Sequence, residues 1–126
     1  MIADLDIYNA LNVSAVTDLL DDYLTVKALF SGTVAPQDYT GVNYINFYAV
    51  GLDNASLEFN ELLYVANCRS KTHRTSRDLA YAVSNQLSRH GKDGYMTYTV
   101  VLGTIPPRDD SDVFNTPVEI TIKKRG

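Results

Sequence analysis

The chain has 126 residues, a hydrophobic fraction of 45% and a charged fraction of 21%, as expected for one globular domain, residues 1–126, with its own core. Its single cysteine, Cys68, excludes an internal disulfide and so a disulfide-stapled secreted domain. The net charge of −4 argues against a protein whose main task is to bind nucleic acid. The acidic N-terminus and the lack of an apolar run of about 20 residues predict a protein that is made and used in a cytoplasm.

The first 24 residues are predicted to be helical. Leu5, Tyr8 and Leu11 recur at helical spacing behind Asp4, which is a candidate cap. A break is expected at residues 12–14, and the serine there is a candidate cap for a second helical piece. The apolar residues of that second piece are Val16, Leu19, Leu20 and Tyr23.

Three strands are predicted next, at residues 25–31, 42–50 and 57–70. Residues 32–41 are expected to be a loop because they hold a proline and begin and end with glycine. In the second strand, apolar Ile45, Phe47 and Ala49 alternate with Tyr44, Asn46 and Tyr48. The third strand is apolar on both faces in its middle, so we expect it to be central and covered on both sides. Its length favours a bulge near residues 60–61.

A helix is predicted at residues 75–90, with strands at 95–102 and 117–123 and a loop at 103–115 between them. The expected helix cap is Thr75 or Ser76, with Asp78 in the first turn. The apolar stripe of this helix is Leu79, Ala80, Val83 and Leu87. The order α-β-β-β-α-β-β predicts an α+β fold, in which an N-terminal helix and one long central helix pack on a mainly antiparallel sheet.

Few residues have the spacing that catalysis or metal binding needs. Cys68 and His73 are a possible nucleophile and base, but apolar strand neighbours favour an inert buried thiol. No zinc spacing or glycine-rich phosphate loop occurs. The cluster Asp109, Asp110 and Asp112 lacks the glycine and the late glutamate of a calcium loop. We therefore expect no enzyme activity, no cofactor and no metal.

Charge and tyrosine content indicate contacts with other proteins. Residues 1–24 hold five acids and no base, whereas residues 69–92 hold six bases and the single acid Asp78. This asymmetry suits contact between neighbouring copies, although two solvated surfaces would show it equally. The basic residues 69–77 are more consistent with an exposed loop than with a phosphate site. Tyr44 and Tyr48 share the strand face away from the expected core, where they are either interface residues or part of a half-exposed sheet.

The arrangement resembles a known family. Residues 62–71 (LLYVANCRSK) form a long strand that ends in a small, polar and basic turn, and a helix containing residues 77–83 (RDLAYAV) follows. A late stretch, residues 115–119 (NTPVE), leads into the final strand. Over nearly the whole chain this order resembles the tail-terminator and tail-completion proteins of long-tailed phages, including the lambda tail terminator.

The resemblance implies a ring, commonly of six copies, that sits on the last layer of the tail tube. Such a ring ends tube polymerisation and presents the surface that joins the head, and it has no active site. The implied partners are further copies, the tail tube protein and a head-completion or stopper protein, while DNA passes through without specific binding and no membrane is involved. The implied location is the head-proximal end of the virion tail, after assembly in the host cytoplasm.

The resemblance also gives the candidate site residues their roles. Arg69, Lys71 and Arg74 are expected to meet the acidic helix or acidic loop of a neighbouring copy, and Tyr44 and Tyr48 to supply buried contact area. The second set, Asp109, Asp110 and Asp112, is expected to face a central channel. The alternatives are a stopper or other connector ring, a small α+β binding module unrelated to phages, and a small enzyme that uses Cys68 and His73.

Overall fold

The structure, a computed structural model, describes residues 4–50, 61–88, 91–92, 94–108 and 112–124. Its helices are α1 (Asp4–Leu11), α2 (Ser14–Thr17) and α3 (His73–Leu87). Its strands are β1 (Asp22–Tyr23), β2 (Val26–Lys27), β3 (Leu29–Ser31), β4 (Tyr44–Val50), β5 (Glu61–Ser70), β6 (Gly91–Lys92), β7 (Tyr95–Val101) and β8 (Phe114–Lys124).

Six of the strands form one mixed sheet in the order β3-β4-β5-β8-β7-β6, and β1 and β2 form a separate hairpin. The β3–β4 pair is parallel, and the other neighbours in the sheet are antiparallel. The α+β prediction and the predicted element order are therefore confirmed, with the short strands β1, β2 and β6 in addition. The predicted strand 25–31 is divided between the hairpin and β3.

The core lies between the sheet and α3. The predicted apolar stripe of α3 is fully buried, and so are the alternate residues of β8, Val118, Ile120 and Ile122. The β8 residues lie beside Tyr64, Ala66 and Cys68 of β5 on the same face of the sheet. The strand register pairs Tyr64 with Ile120 and Ala66 with Val118. Burying each large aliphatic side chain here contributes about 1.5–3 kcal/mol relative to leaving it exposed.

The other face of the sheet carries no helix among the described residues. We call this the open face; it includes Tyr44 and Tyr48 of β4 and Leu63, Val65 and Arg69 of β5. The central position of β5 is confirmed, but Leu63 and Val65 are only half-buried, so the prediction of cover on both sides is wrong. Apolar residues on both faces of a strand reflect flanking strands as well as covering layers, and β5 is flanked by β4 and β8.

The cap of α3 differs from the predicted one. Thr72 is the N-cap, and its side chain accepts a hydrogen bond from the backbone N–H of Thr75 at 3.2 Å. The helix thus begins two residues early, and Asp78 lies beyond its first turn. Ser76 is buried and donates to the carbonyl of Cys68 at 2.7 Å, which ties α3 to β5. The helix ends at Leu87, short of the predicted end at residue 90.

The N-terminal helix is broken where the sequence predicted, between α1 and α2. Val13, not Ser14, takes the N-cap position of α2, and it makes no side-chain capping bond. The buried residues of α1 are Ile7 and Leu11, whereas Leu5 is exposed, so the predicted stripe is rotated. Asp4 accepts hydrogen bonds from Ser31 and Tyr64, which join α1 to the sheet.

The predicted turn at 51–56, the start of the third predicted strand and its expected bulge near residues 60–61 fall wholly or partly outside the described residues. Among the residues that are described, no helix has the length and apolarity needed to cross a membrane.

The β1–β2 hairpin has a strained and exposed tip. Tyr23 pairs with Val26, so Leu24 and Thr25 form a two-residue turn. Leu24 adopts φ +55°, a left-handed conformation that favours glycine at the first position of such a turn. Its side chain is 80% exposed, so no packing within the chain offsets this strain.

Replacing Leu24 with glycine is expected to increase the free energy of unfolding by about 1 kcal/mol, because the left-handed strain is removed. Urea unfolding of the Leu24→Gly variant measures this change. Thr25→Gly is the matched control, because Thr25 has no positive φ and should lose stability. Equal losses in the two variants would contradict the assignment of strain to Leu24.

Candidate interaction surface on the open face

Four aromatic rings form a cluster at the β3–β4 side of the open face. Phe30 contacts Tyr23 and Tyr39 edge to face, with centroids 5.4 and 5.3 Å apart, and Tyr39 contacts Tyr44 at 5.2 Å. Edge-to-face contacts at these distances are favourable beyond the apolar area that they bury. The cluster therefore fixes Tyr44, the first residue of β4, on this face.

Arg69 extends the aromatic cluster towards the centre of the sheet. It is paired with Tyr44 in the register of β4 and β5, and its guanidinium carbon lies 6.0 Å from the centroid of that ring. Its Nε donates to Oδ1 of Asn46 at 3.3 Å, and Asn46 in turn donates to the carbonyls of Gly32 and Thr33 at 3.1 and 3.2 Å. The arginine is thus held on the face with its positive charge next to aromatic surface, a combination enriched at protein interfaces.

A single carboxylate, that of Asp21, holds the loop before β4. Its Oδ2 accepts hydrogen bonds from the backbone N–H groups of Val42 at 2.6 Å and Asn43 at 2.9 Å, and from the Tyr39 hydroxyl at 3.1 Å. A Cβ atom at Gly41 would overlap the Asp21 Oδ2 and the Tyr39 hydroxyl. A side chain at position 41 would therefore have to displace the contact between Asp21 and Tyr39.

The electrostatics of the Asp21 site favour the ionised form. Burial acts to raise the pKa of Asp21, but the hydrogen bonds from Asn43, Val42 and Tyr39, together with the charge of Lys27, outweigh it, so the pKa lies below its usual value. Burial, followed by the charge of Asp21, raises the pKa of Tyr39. Tyr39 is therefore a neutral hydrogen-bond donor to an ionised acceptor over the whole neutral range.

The predicted interface residues fall into two groups. Tyr44, Tyr48 and Arg69 lie together on the open face, with Tyr48 paired to Val65. Lys71 and Arg74 are exposed in the turn before α3 and in its first turn.

The predicted acidic loop meets the basic turn within the chain. The Lys71 Nζ lies 3.7 Å from a carboxylate oxygen of Asp112, a residue that we had expected to face a channel. Both side chains are largely exposed, so this ion pair contributes little to stability. Asp109 and Asp110 lie outside the described residues, and their role stays a prediction.

Cys68 and His73 occupy unlike environments. Cys68 has no exposed surface, and burial raises the pKa of its thiol, with a smaller opposing effect from Arg69. His73 is exposed at the start of α3, and its ring contacts Phe114 with centroids 5.8 Å apart. A thiol nucleophile needs a lowered pKa and access to substrate, so these surroundings do not support the Cys68–His73 enzyme reading.

Within the part of the chain that the structure describes, no three histidine, cysteine or acidic side chains are grouped closely enough to hold a metal ion.

Sequence reasoning missed the exposed apolar residues of β7. The phase containing Tyr98, Val100 and Leu102 lies on the open face and is exposed, while Thr97 is buried. The reason is that the threonines bond to α3: Thr97 donates to the carbonyl of Leu87, and the Thr99 and Ser84 hydroxyls are 2.7 Å apart. The sequence of β7 alone does not show whether the set containing Tyr98 and Val100 or the set containing Thr97 and Thr99 faces the core.

Comparison with known proteins identifies a shared fold. No protein-family model matches the chain, and no curated protein matches it. A chain of the solved structure described as the virion of a native gene transfer agent particle matches with a TM-score of 0.63 and 15% sequence identity. The match covers 95% of this chain and 92% of that chain, so the likeness extends over the whole fold.

Replacing Asp21 with asparagine is expected to reduce the free energy of unfolding at pH 7 by about 1–3 kcal/mol, because a charged acceptor of three hydrogen bonds is lost. The folded-state pKa of Asp21 is depressed, so its contribution is complete above the usual aspartate pKa of about 4 and is lost as the pH falls through the folded pKa. Urea unfolding between pH 7 and 3 should show the difference from the parent chain narrowing at the acid end. Asp18→Asn, at an exposed position, is the control; a difference that does not change with pH would contradict this role.

Cys68 is expected to react with a maleimide roughly a hundredfold or more slowly in the folded chain than in urea, because modification requires local opening of the core. The measurement is the labelling rate at pH 7 with and without denaturant. Fast labelling of the folded chain would instead restore the enzyme reading.

Proposed function

We propose that this chain is a non-enzymatic structural protein of a phage-like virion, and that it forms a ring that caps the tail tube. The ring ends tube polymerisation and provides the head–tail joining surface. The observation that carries this proposal is the fold match, over 95% of the chain, to a chain of a gene transfer agent virion. The resemblance of the sequence to tail terminators supports the same class and supplies the specific role.

The open face supports assembly as the function. This β-sheet face carries half-buried tyrosines beside a fixed arginine on β4 and β5, and exposed Tyr98 and Val100 on β7, which is the composition of a protein interface. Tyr44, Tyr48 and Arg69 are the proposed contact residues on this face. Tyr44 is held by the aromatic cluster and Arg69 by Asn46 before any partner arrives, so binding would cost little ordering of these two side chains.

Basic residues near the start of α3 and acidic residues near β1 provide a second set of proposed contacts. Arg74 is exposed at the start of α3. Lys71 forms an exposed ion pair with Asp112, and an acidic residue of a partner can replace Asp112 in this pair. Asp18 and Asp22 are exposed on the segment that joins α2 to β1 and in β1 itself. In a closed ring each copy presents two different surfaces to its neighbours, and opposite charges on them would set the orientation of docking.

The proposed partners follow from the role. They are further copies of the chain, most simply six in a ring, the tail tube protein below and a head-completion or stopper protein above. DNA passes through the ring without specific binding, and the acidic residues Asp109, Asp110 and Asp112 are proposed to face that channel. No cofactor, metal or membrane is part of the proposal, and the protein resides in the virion at the head-proximal end of the tail.

Ring formation is tested by light scattering of the purified chain at low salt and high concentration, and by negative-stain imaging. A hexamer has an expected mass of about 84 kDa, six times 14.0 kDa, and should appear as a hollow ring. If the chain is monomeric, tail tubes assembled from the cognate tube protein are added, and tube length and end caps are scored.

The outcomes separate the candidates. Rings in solution or caps on tubes support the terminator role, whereas rings that join only heads support a connector or stopper ring. A monomer that neither caps nor shortens tubes would overturn the proposal and leave the small binding module as the alternative.

A further inference from the structure

Arg69 is a half-buried cation on the open face, and no carboxylate of the described residues forms an ion pair with it. In the strand register it lies between Tyr44 of β4 and Asn115 of β8, neither of which is charged. Partial burial removes water from the guanidinium, and a charge withdrawn from water is unfavourable unless an opposite charge is provided. The described part of the chain therefore leaves one positive charge on this face without a counter-ion.

Acids beside the open face are engaged or distant. Asp21 accepts three hydrogen bonds next to the aromatic cluster, and Asp38 accepts one from a tyrosine hydroxyl. Glu119 is the acid that β8 places on this face, and it lies four residues along the strand from Asn115. That separation is roughly 13 Å at about 3.3 Å per residue, so Glu119 and Arg69 occupy different positions along the sheet.

The guanidinium is held with its outer nitrogens free. Asn46 is buried, and its amide nitrogen donates to the carbonyls of Gly32 and Thr33. Because both N–H groups of this amide are used, its oxygen is the atom that accepts from Nε of Arg69, at 3.3 Å. The Tyr44 ring lies beside the same group, 6.0 Å from the guanidinium carbon. Nε therefore faces the protein, and both terminal Nη groups are left for a partner.

A carboxylate is the group that fits these nitrogens best. A guanidinium presents parallel N–H bonds in a plane, which match the two oxygens of a carboxylate. Phosphates of a nucleic acid backbone are contacted by several bases together, whereas uncharged Tyr44 and Asn115 flank Arg69 and the chain has a net charge of −4. An aromatic ring beside a single fixed arginine is instead typical of contact with another protein.

We propose that Arg69 binds the carboxylate of an aspartate or glutamate on a partner protein, through its two Nη groups, when the virion assembles. This proposal rests on the proposed ring function and names the chemistry that a partner brings to the open face. The partner's acid supplies the counter-ion that the chain lacks, and the fixed guanidinium makes the contact directional.

Substitution of Arg69 in the full-length chain tests the contact. Arg69→Gln removes the charge, and Arg69→Lys keeps the charge but not the planar pair of N–H groups. Both should weaken assembly, measured as ring formation or as capping of cognate tail tubes, at least about tenfold. Lys123→Gln is the matched control, because Lys123 is an exposed base at the end of β8; it should change assembly less than about threefold.

An acid placed beside Arg69 should compete with the partner. The Oδ1 atom of Asn115 is buried and has no hydrogen-bond partner, and Asn115 is opposite Arg69 in the register. Asn115→Asp should therefore supply a counter-ion within the chain, raise its melting temperature by a few degrees and weaken assembly about tenfold. Asn115→Ser removes the same amide without adding a charge, so it should not raise the melting temperature and should leave assembly within about threefold of the parent chain.

The results distinguish this contact from the proposed function beneath it. Rings or caps that form normally with Arg69→Gln and Asn115→Asp would overturn the contact and leave the ring role standing. An effect of Arg69→Gln that appears only when DNA is present would assign the charge to phosphate and overturn the contact as well. An unsubstituted chain that neither oligomerises nor caps tubes would overturn the ring role and the contact with it.

Discussion

The packing of α3 on the β5–β8 pair is the constraint from which the rest of the molecule follows. Antiparallel register along the full length of β5 places its alternate residues opposite those of β8, and α3 covers this one face with a completely buried apolar stripe. The Ser76 hydroxyl, bonded to the Cys68 carbonyl and 2.8 Å from the Thr116 hydroxyl, fixes the helix to both strands. Because the described helices all pack on this face, the other face is stabilised by side chains of the sheet and of the segments beside it.

The open face is stabilised by aromatic contacts and by the hydrogen bonds of one part-buried carboxylate, that of Asp21. Tyr39 joins the two, since its ring contacts Phe30 and Tyr44 while its hydroxyl donates to Asp21. Asp21 in turn satisfies the backbone of residues 42 and 43 at the entry to β4. The result is a face whose side chains are ordered in the single chain and only half-buried, which is the state in which a preformed interface binds with the smallest entropic cost.

The fold is similar to that of a chain of a gene transfer agent virion. The two chains share this fold at 15% identity over nearly the whole length of both. A shared fold at this identity does not by itself define a function, which depends on the particular residues of a site. Under the proposed ring function, the tyrosines and Arg69 of β4 and β5 and the exposed residues Tyr98 and Val100 of β7 are the side chains available on this face for contacts with other proteins.

Alternation and helical periodicity in the sequence determined the α+β class, the element order and most of the core, because burial on one side leaves a repeat of two or 3.6 residues in the chain. The stripe of α3 and the position of Tyr44 and Tyr48 opposite the core were both accessible in this way. The parallel pairing of β3, the Asp21 site and the pairing of Lys71 with Asp112 were not, because each joins residues far apart in sequence or on separate elements. The direction of β7 was decided by tertiary structure alone: periodicity shows that Tyr98 and Val100 share a face, but only the hydrogen bonds of Thr97 and Thr99 to α3 determine that this face is exposed.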